Sequence, residues 1–140
     1  MSTGRYSVLL VEDDLPTIEL ARSAVTGSCP GINLTVIGGG DAALDWLSDI
    51  DARSKRMPNL ILLDLKMPKL DGLAVLRKLR MHVDTCDIPI VALSAEYTQA
   101  DVVMSYQVGA NSFVPMPTDL GQFKEFFHER LAYWLQVHRG

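Results

Sequence analysis

YSVLLVEDD, residues Tyr6–Asp14, sets an uninterrupted apolar run directly before three acids. A run of bulky and β-branched residues without alternation is the pattern of a strand buried on both faces. The acids cannot remain in that apolar layer, so the strand ends at Val11. Asp14 is then placed to cap a helix over about Leu15–Thr26, with Pro16 in its first turn, where a missing N–H costs nothing.

The same alternation repeats along the chain. LTVI (Leu34–Ile37), LILL (Leu60–Leu63), IPIVAL (Ile88–Leu93) and the short Ser112–Val114 read as further strands. Amphipathic stretches follow them over Asp41–Ile50, Gly72–Val83 and Thr98–Val108, the last ended by Gly109. A final helix capped by Thr118 runs to about Val137. The polar stretch Asp51–Pro58 reads as a loop, and Pro30-Gly31 closes the first unit. Five strand–helix units with apolar strands imply a parallel sheet covered on both faces. The fold class is α/β, a doubly wound (βα)5 sheet. The flavodoxin-like strand order 2-1-3-4-5 is taken by analogy, since periodicity does not fix it.

The chain has 140 residues, 48% hydrophobic and 21% charged, which suits one packed domain over 1–140, with a core over about 6–127. The net charge of −4 argues against a nucleic-acid partner. Val8–Val11 is too short for a leader core or a membrane span. Cys29 and Cys86 are far apart, so reduced thiols and a cytoplasmic location are expected.

In such a sheet the working face lies beyond the carboxyl ends of the strands. Glu12 and Asp13 follow the first strand there, and Asp64 follows the third. Three acids within several ångströms repel one another. A divalent cation relieves that repulsion, and all-oxygen ligands suit Mg²⁺ or Mn²⁺. Asp13 alternatively serves only as part of a helix cap, the role assigned to Asp14. Asp64 beside such a metal can act as a nucleophile toward phosphorus. The hydroxyl of Ser94, at the end of the fourth strand, is placed to bond a phosphoryl oxygen.

VLLVEDD (Val8–Asp14), LILLDLKMPKLDG (Leu60–Gly72), IPIVALSA (Ile88–Ala95) and GANSFV (Gly109–Val114) together resemble receiver domains of two-component response regulators. The C-terminal FFHERLAYWL resembles single-domain regulators that work with bacterial phytochrome histidine kinases. The resemblance implies Asp64 as phosphoacceptor and Asp13 as direct metal ligand, with Glu12 as the acidic neighbour. It implies a metal bond from the Lys66 backbone carbonyl, not from its side chain. Ser94 and Phe113 match the switch positions, and Pro68 and Gly72 the loop that shapes the site. The family's lysine before the proline after strand five is here Met116, and Met116–Pro117 is the expected cis peptide bond. A hydrogen bond to a charged group contributes about 1.5–3 kcal/mol, and a thioether does not replace it.

The expected function is a stand-alone receiver that accepts a phosphoryl group from a histidine kinase and signals by protein contact or phosphorelay. No output module is expected beyond the receiver, and no catalysis beyond its own phosphoryl acceptance and slow self-dephosphorylation. The alternative is a degenerate receiver that acts by interaction or dimerisation without phosphate, because of Met116. A haloacid-dehalogenase-type phosphatase would need an acid where Lys66 stands. Gly38-Gly39-Gly40 lacks the Lys-Ser/Thr of a P-loop, and a flavin's phosphate would meet three acids. His82, His128 and His138 form no ligand pattern.

In the last helix, Leu120, Phe123, Phe127, Leu131 and Trp134 share one 3.6-residue stripe, expected to face the sheet. Phe126, Tyr133 and Val137 form a second stripe, expected to be a homodimer face.

Overall fold

The computed structural model describes residues 6–29, 31–48, 57–67, 71–131 and 133–137. Pro30, Ile50, the stretch 51–56, Pro68 and His138 lie outside the described residues, as does the Val137 side chain.

Strands and helices alternate: β1 (Tyr6–Val11), α1 (Leu15–Ser28), β2 (Ile32–Ile37), α2 (Gly40–Ser48), β3 (Leu60–Asp64), α3 (Gly72–Met81), β4 (Ile90–Ser94), α4 (Gln99–Val108), β5 (Ser112–Pro115) and α5 (Leu120–Glu125). The sheet order is β2-β1-β3-β4-β5, all parallel, as expected. Successive strand residues point to opposite faces, and the core divides accordingly. Val8, Leu10, Leu60, Leu62 and Leu93 pack with Ala21 of α1, Phe123 of α5 and Phe127 just beyond α5. Leu9, Val11, Ile61, Leu63 and Ala92 pack with Leu47, Val75 and Leu76 of α2 and α3. Burying each such leucine or valine contributes about 1.5–3 kcal/mol, which is why the strands carry no polar face.

β4 begins at Ile90, not Ile88, because Pro89 has no N–H; its carbonyl instead accepts from Ile61 N at 2.9 Å. Asp14 caps α1 as expected, its carboxylate accepting from Thr17 N. Pro115 is tolerated at the end of β5 because β5 is an edge strand.

The last helix departs from the expected pattern. Its cap is Asp119, whose Oδ1 accepts from Gln122 N at 2.8 Å; Thr118 instead donates to the Gln122 side chain. After Glu125 the helix widens into π-type turns at Phe126–Arg130 and Tyr133–Val137, with Leu131 N bonding Phe126 O. A wider turn rotates later residues away from a 3.6-residue stripe. Phe126, whose own N–H still bonds Gln122 O one α-turn back, is buried, 3% exposed, because the core-facing side is wider than one stripe, and it does not belong to an outer face. Leu135 joins the core in turn, whereas Leu120 is 37% and Tyr133 53% exposed.

The Met116–Pro117 bond is trans; no cis peptide occurs among the described residues. Trans is the default even before proline. The chain here continues the ladder in extended form, Met116 N donating to Ser94 O at 2.9 Å.

Candidate functional site

The register sets the site. Val11 pairs with Leu63, Asp64 with Leu93, and Ser94 with Pro115, so four strand ends stand side by side. Ladder-like bonds hold the residues just beyond them: Glu12 N to Ile37 O at 3.0 Å and Leu65 N to Leu93 O at 2.9 Å. Gly72 lets α3 start against this edge, since a Cβ there would collide with the Leu65 backbone.

Glu12 and Asp64 are both buried, at 1% and 8% exposure, and their carboxyl groups are in contact. Burial, then the hydrogen bond and charge of Asp64, push the Glu12 carboxyl up from 4.5 to about 8. Near neutrality Glu12 therefore holds a proton that lets the two groups share a hydrogen bond. Glu12 Oε2 also accepts from Asp13 N at 3.0 Å, and Asp64 Oδ1 accepts from Lys66 N at 3.0 Å.

The Asp13 side chain is exposed, and no cluster of three His, Cys, Asp or Glu able to hold a metal forms among the described residues. The structure thus joins Glu12 with Asp64 but does not draw Asp13 into a three-acid pocket. Like charges repel, and the most exposed of the three keeps its carboxylate in water. The donor chemistry still fits a hard divalent ion: the buried pair offers only oxygen, and no described Lys or Arg forms an ion pair with it.

The Ser94 hydroxyl is fully buried and donates to the Glu96 carbonyl at 2.6 Å. Phe113 is half-buried; its ring meets that of Tyr97 edge-on at 5.0 Å, and its N–H donates to Tyr106 Oη at 3.1 Å. Met116 is buried in the core on the α1/α5 side. A cleft of about 300 Å³ opens among Leu65, Lys66, Asp71, Ser94 and Asp101. Lys66 Nζ lies 3.3 Å from Asp101 Oδ2 across it.

Two residues escaped the sequence reading, one at the cleft and one away from it. One is Asp101; its only local signal is Thr98-x-x-Asp101, a capping box that the structure forms. The other is Arg80, whose half-buried guanidinium donates to the carbonyls of Gly109, Cys86 and Ile88 and to Asn111 Oδ1. It ties the α3–β4 loop to the start of β5.

A family model described as the response regulator receiver domain matches residues 8–128. Response regulator Rcp1 of Synechocystis sp. is 30% identical over 131 residues, 93% of this chain and 89% of that protein. Among solved structures, the Mn(2+)-bound form of Rcp1 has a TM-score of 0.80 at 29% identity, covering 94% of this chain and 96% of that one. The phosphorylated cyanobacterial phytochrome response regulator RcpA has a TM-score of 0.84 at 27% identity, covering 96% of each chain. The bacteriophytochrome response regulator RtBRR has a TM-score of 0.71 at 39% identity, covering 84% of this chain and 73% of that one.

Proposed function

We propose, since this chain belongs to the response regulator receiver domain family, that it accepts a phosphoryl group on Asp64 from a histidine kinase. The observation that carries this reading is the buried Glu12–Asp64 pair at the β1/β3 strand ends, where the winding of the sheet reverses. Lys66 N–H fixes one Asp64 oxygen and so orients the carboxylate. An Asp64 oxygen attacks the phosphorus of a phosphohistidine. The new P–O bond forms as the P–N bond breaks, and its electron pair stays on the imidazole nitrogen, which takes a proton from water. Water attacking the acyl phosphate later returns the carboxylate and inorganic phosphate.

Mg²⁺ would be held by Asp13, Asp64 and the Lys66 carbonyl, with Glu12 alongside, and would neutralise phosphoryl oxygens during transfer. With a cation there, Glu12 would serve as a carboxylate and not as the proton-holding partner of Asp64. Ser94, freed from Glu96, bonds a phosphoryl oxygen, and Phe113 follows as the switch aromatic. Receiver domains act in signalling, and here the output is a protein contact or onward transfer of the phosphoryl group.

The kinase is of the phytochrome type, with a bacteriophytochrome as the expected form, a reading supported by the likeness to the phytochrome response regulator RcpA and the bacteriophytochrome response regulator RtBRR. No described helix is long and apolar enough to cross a membrane, and the reading places the protein in the cytoplasm. A homodimer is supported by the exposed Val103, Met104, Tyr106 and Tyr133. The second reading, a phosphate-independent interaction module, draws on one observation, the buried thioether at Met116.

Label transfer from a phosphorylated histidine kinase tests the reading. Labelling in Mg²⁺ and its loss in a chelator are expected; undiminished labelling in the chelator contradicts the metal's part.

A further inference from the structure

We propose that Lys66 is the phosphoryl-responsive cation of this site, and that its side chain moves from Asp101 to the phosphoryl group on Asp64, releasing the start of α4. The proposal rests on the phosphoacceptor reading above and adds the route by which the charge is sensed.

Several observations converge on it. Lys66 is fixed at its backbone, where its N–H bonds Asp64 Oδ1 at 3.0 Å, so its side chain starts beside the reacting carboxylate. Its ammonium lies over the same cleft, 3.3 Å from Asp101 Oδ2. It is the one basic side chain among the described residues lining that cleft. Strand five offers no competitor: Met116 stands there, buried and uncharged.

The electrostatics favour the exchange. The Lys66 side chain is 52% exposed, so its ion pair with a single carboxylate is weak and readily broken. A phosphoryl group carries about −1.5 to −2 charge on three acceptor oxygens at pH 7. Lysine binds such a group as a mobile point charge on a flexible stem.

Asp101 does not lose its structural part in the exchange. Its Oδ2 also accepts from Thr98 N at 2.9 Å, and its N–H donates to Thr98 Oγ1 at 3.2 Å. The capping box persists when the ammonium leaves. What is lost is the tether between the β3–α3 loop and α4.

The test combines amide NMR with intact mass in Mg²⁺ and acetyl phosphate, for wild type, Lys66→Met, Lys66→Arg and Asp101→Asn. Shifts at Thr98–Val102 are expressed per phosphorylated molecule. Wild type and Lys66→Arg are expected to show large shifts. Lys66→Met and Asp101→Asn, which cut the tether from either end, are expected to show shifts severalfold smaller. A wild-type-sized response in either of those two variants overturns the proposal while leaving the phosphoacceptor reading intact. Absence of a phosphoryl mass gain in wild type overturns that reading, and the Lys66 assignment with it.

Discussion

Met116 and Ser94 are joined by a backbone hydrogen bond of 2.9 Å, so the residue in the family lysine's slot is tied to the strand end that carries the hydroxyl proposed to meet the phosphoryl group. The tie is by backbone alone. The Met116 side chain turns into the core on the α1/α5 side and offers no charge to the strand ends.

Met116→Lys is therefore expected to strengthen the phosphorylation-dependent change at Phe113 and β5. It is also expected to cost about 1–3 kcal/mol, because a buried thioether is exchanged for an ammonium. Amide shifts on phosphorylation and denaturant titration read the two effects. An equal response in both proteins would refute the idea that the lost lysine weakens coupling to strand five.

Arg80 and Gly109 form a close joint away from the site. Gly109 sits at φ 130°, and a Cβ there would lie 2.7 Å from Arg80 Cγ. Gly109→Ala is expected to cost about 1–3 kcal/mol through backbone strain alone. Arg80→Leu strips donors from the Gly109, Cys86 and Ile88 carbonyls and is expected to cost about 3 kcal/mol. Urea unfolding checks both, and a neutral Arg80→Leu would show that the carbonyls find other partners.

The Glu12 carboxyl titrates near 8 when folded and near 4.5 otherwise. The folded protein thus holds a proton that the unfolded chain releases, and stability falls with rising pH between those values. The contribution is fully present below about pH 4.5 and is lost as the pH passes about 8. In metal-free protein the melting temperature is expected to drop across that window. Glu12→Gln is expected to flatten the drop; an unchanged slope in the variant would place the titrating group elsewhere.

Phe126 and Tyr133 separate core from surface in the last helix. Phe126→Ala is expected to cost about 3–5 kcal/mol as a core truncation. Tyr133→Ser is expected to leave the melting temperature nearly unchanged and to weaken self-association in sedimentation. A dimer indifferent to Tyr133→Ser removes that residue from the interface.

Much of this architecture is legible in the chain because burial on two faces forces continuous apolar strands, and Val8–Val11 and Leu60–Leu63 carry little else. Asp64 and Glu12 are legible for the same reason: an acid right after such a strand must sit at its end. The burial of Phe126 is not, because the core-facing side of a helix is wider than one stripe and the spacing from Phe123 and Phe127 does not fix its edge; nor is the entry of Leu135 into the core, which follows a π-type turn that no local residue pattern announces. Nor is the exposed Asp13 side chain, since chain adjacency to Glu12 says nothing of which carboxylate stays in water. The Lys66–Asp101 pair joins the β3–α3 loop to the first turn of α4, distant in sequence, and only the β3–β4 adjacency brings them together.

The most direct measurement is intact mass after incubation with acetyl phosphate and Mg²⁺, for wild type beside Asp64→Asn. Wild type is expected to gain one phosphoryl group and Asp64→Asn none. A wild type that gains nothing, or a variant that gains as much, would contradict the assignment of Asp64 as the phosphoacceptor.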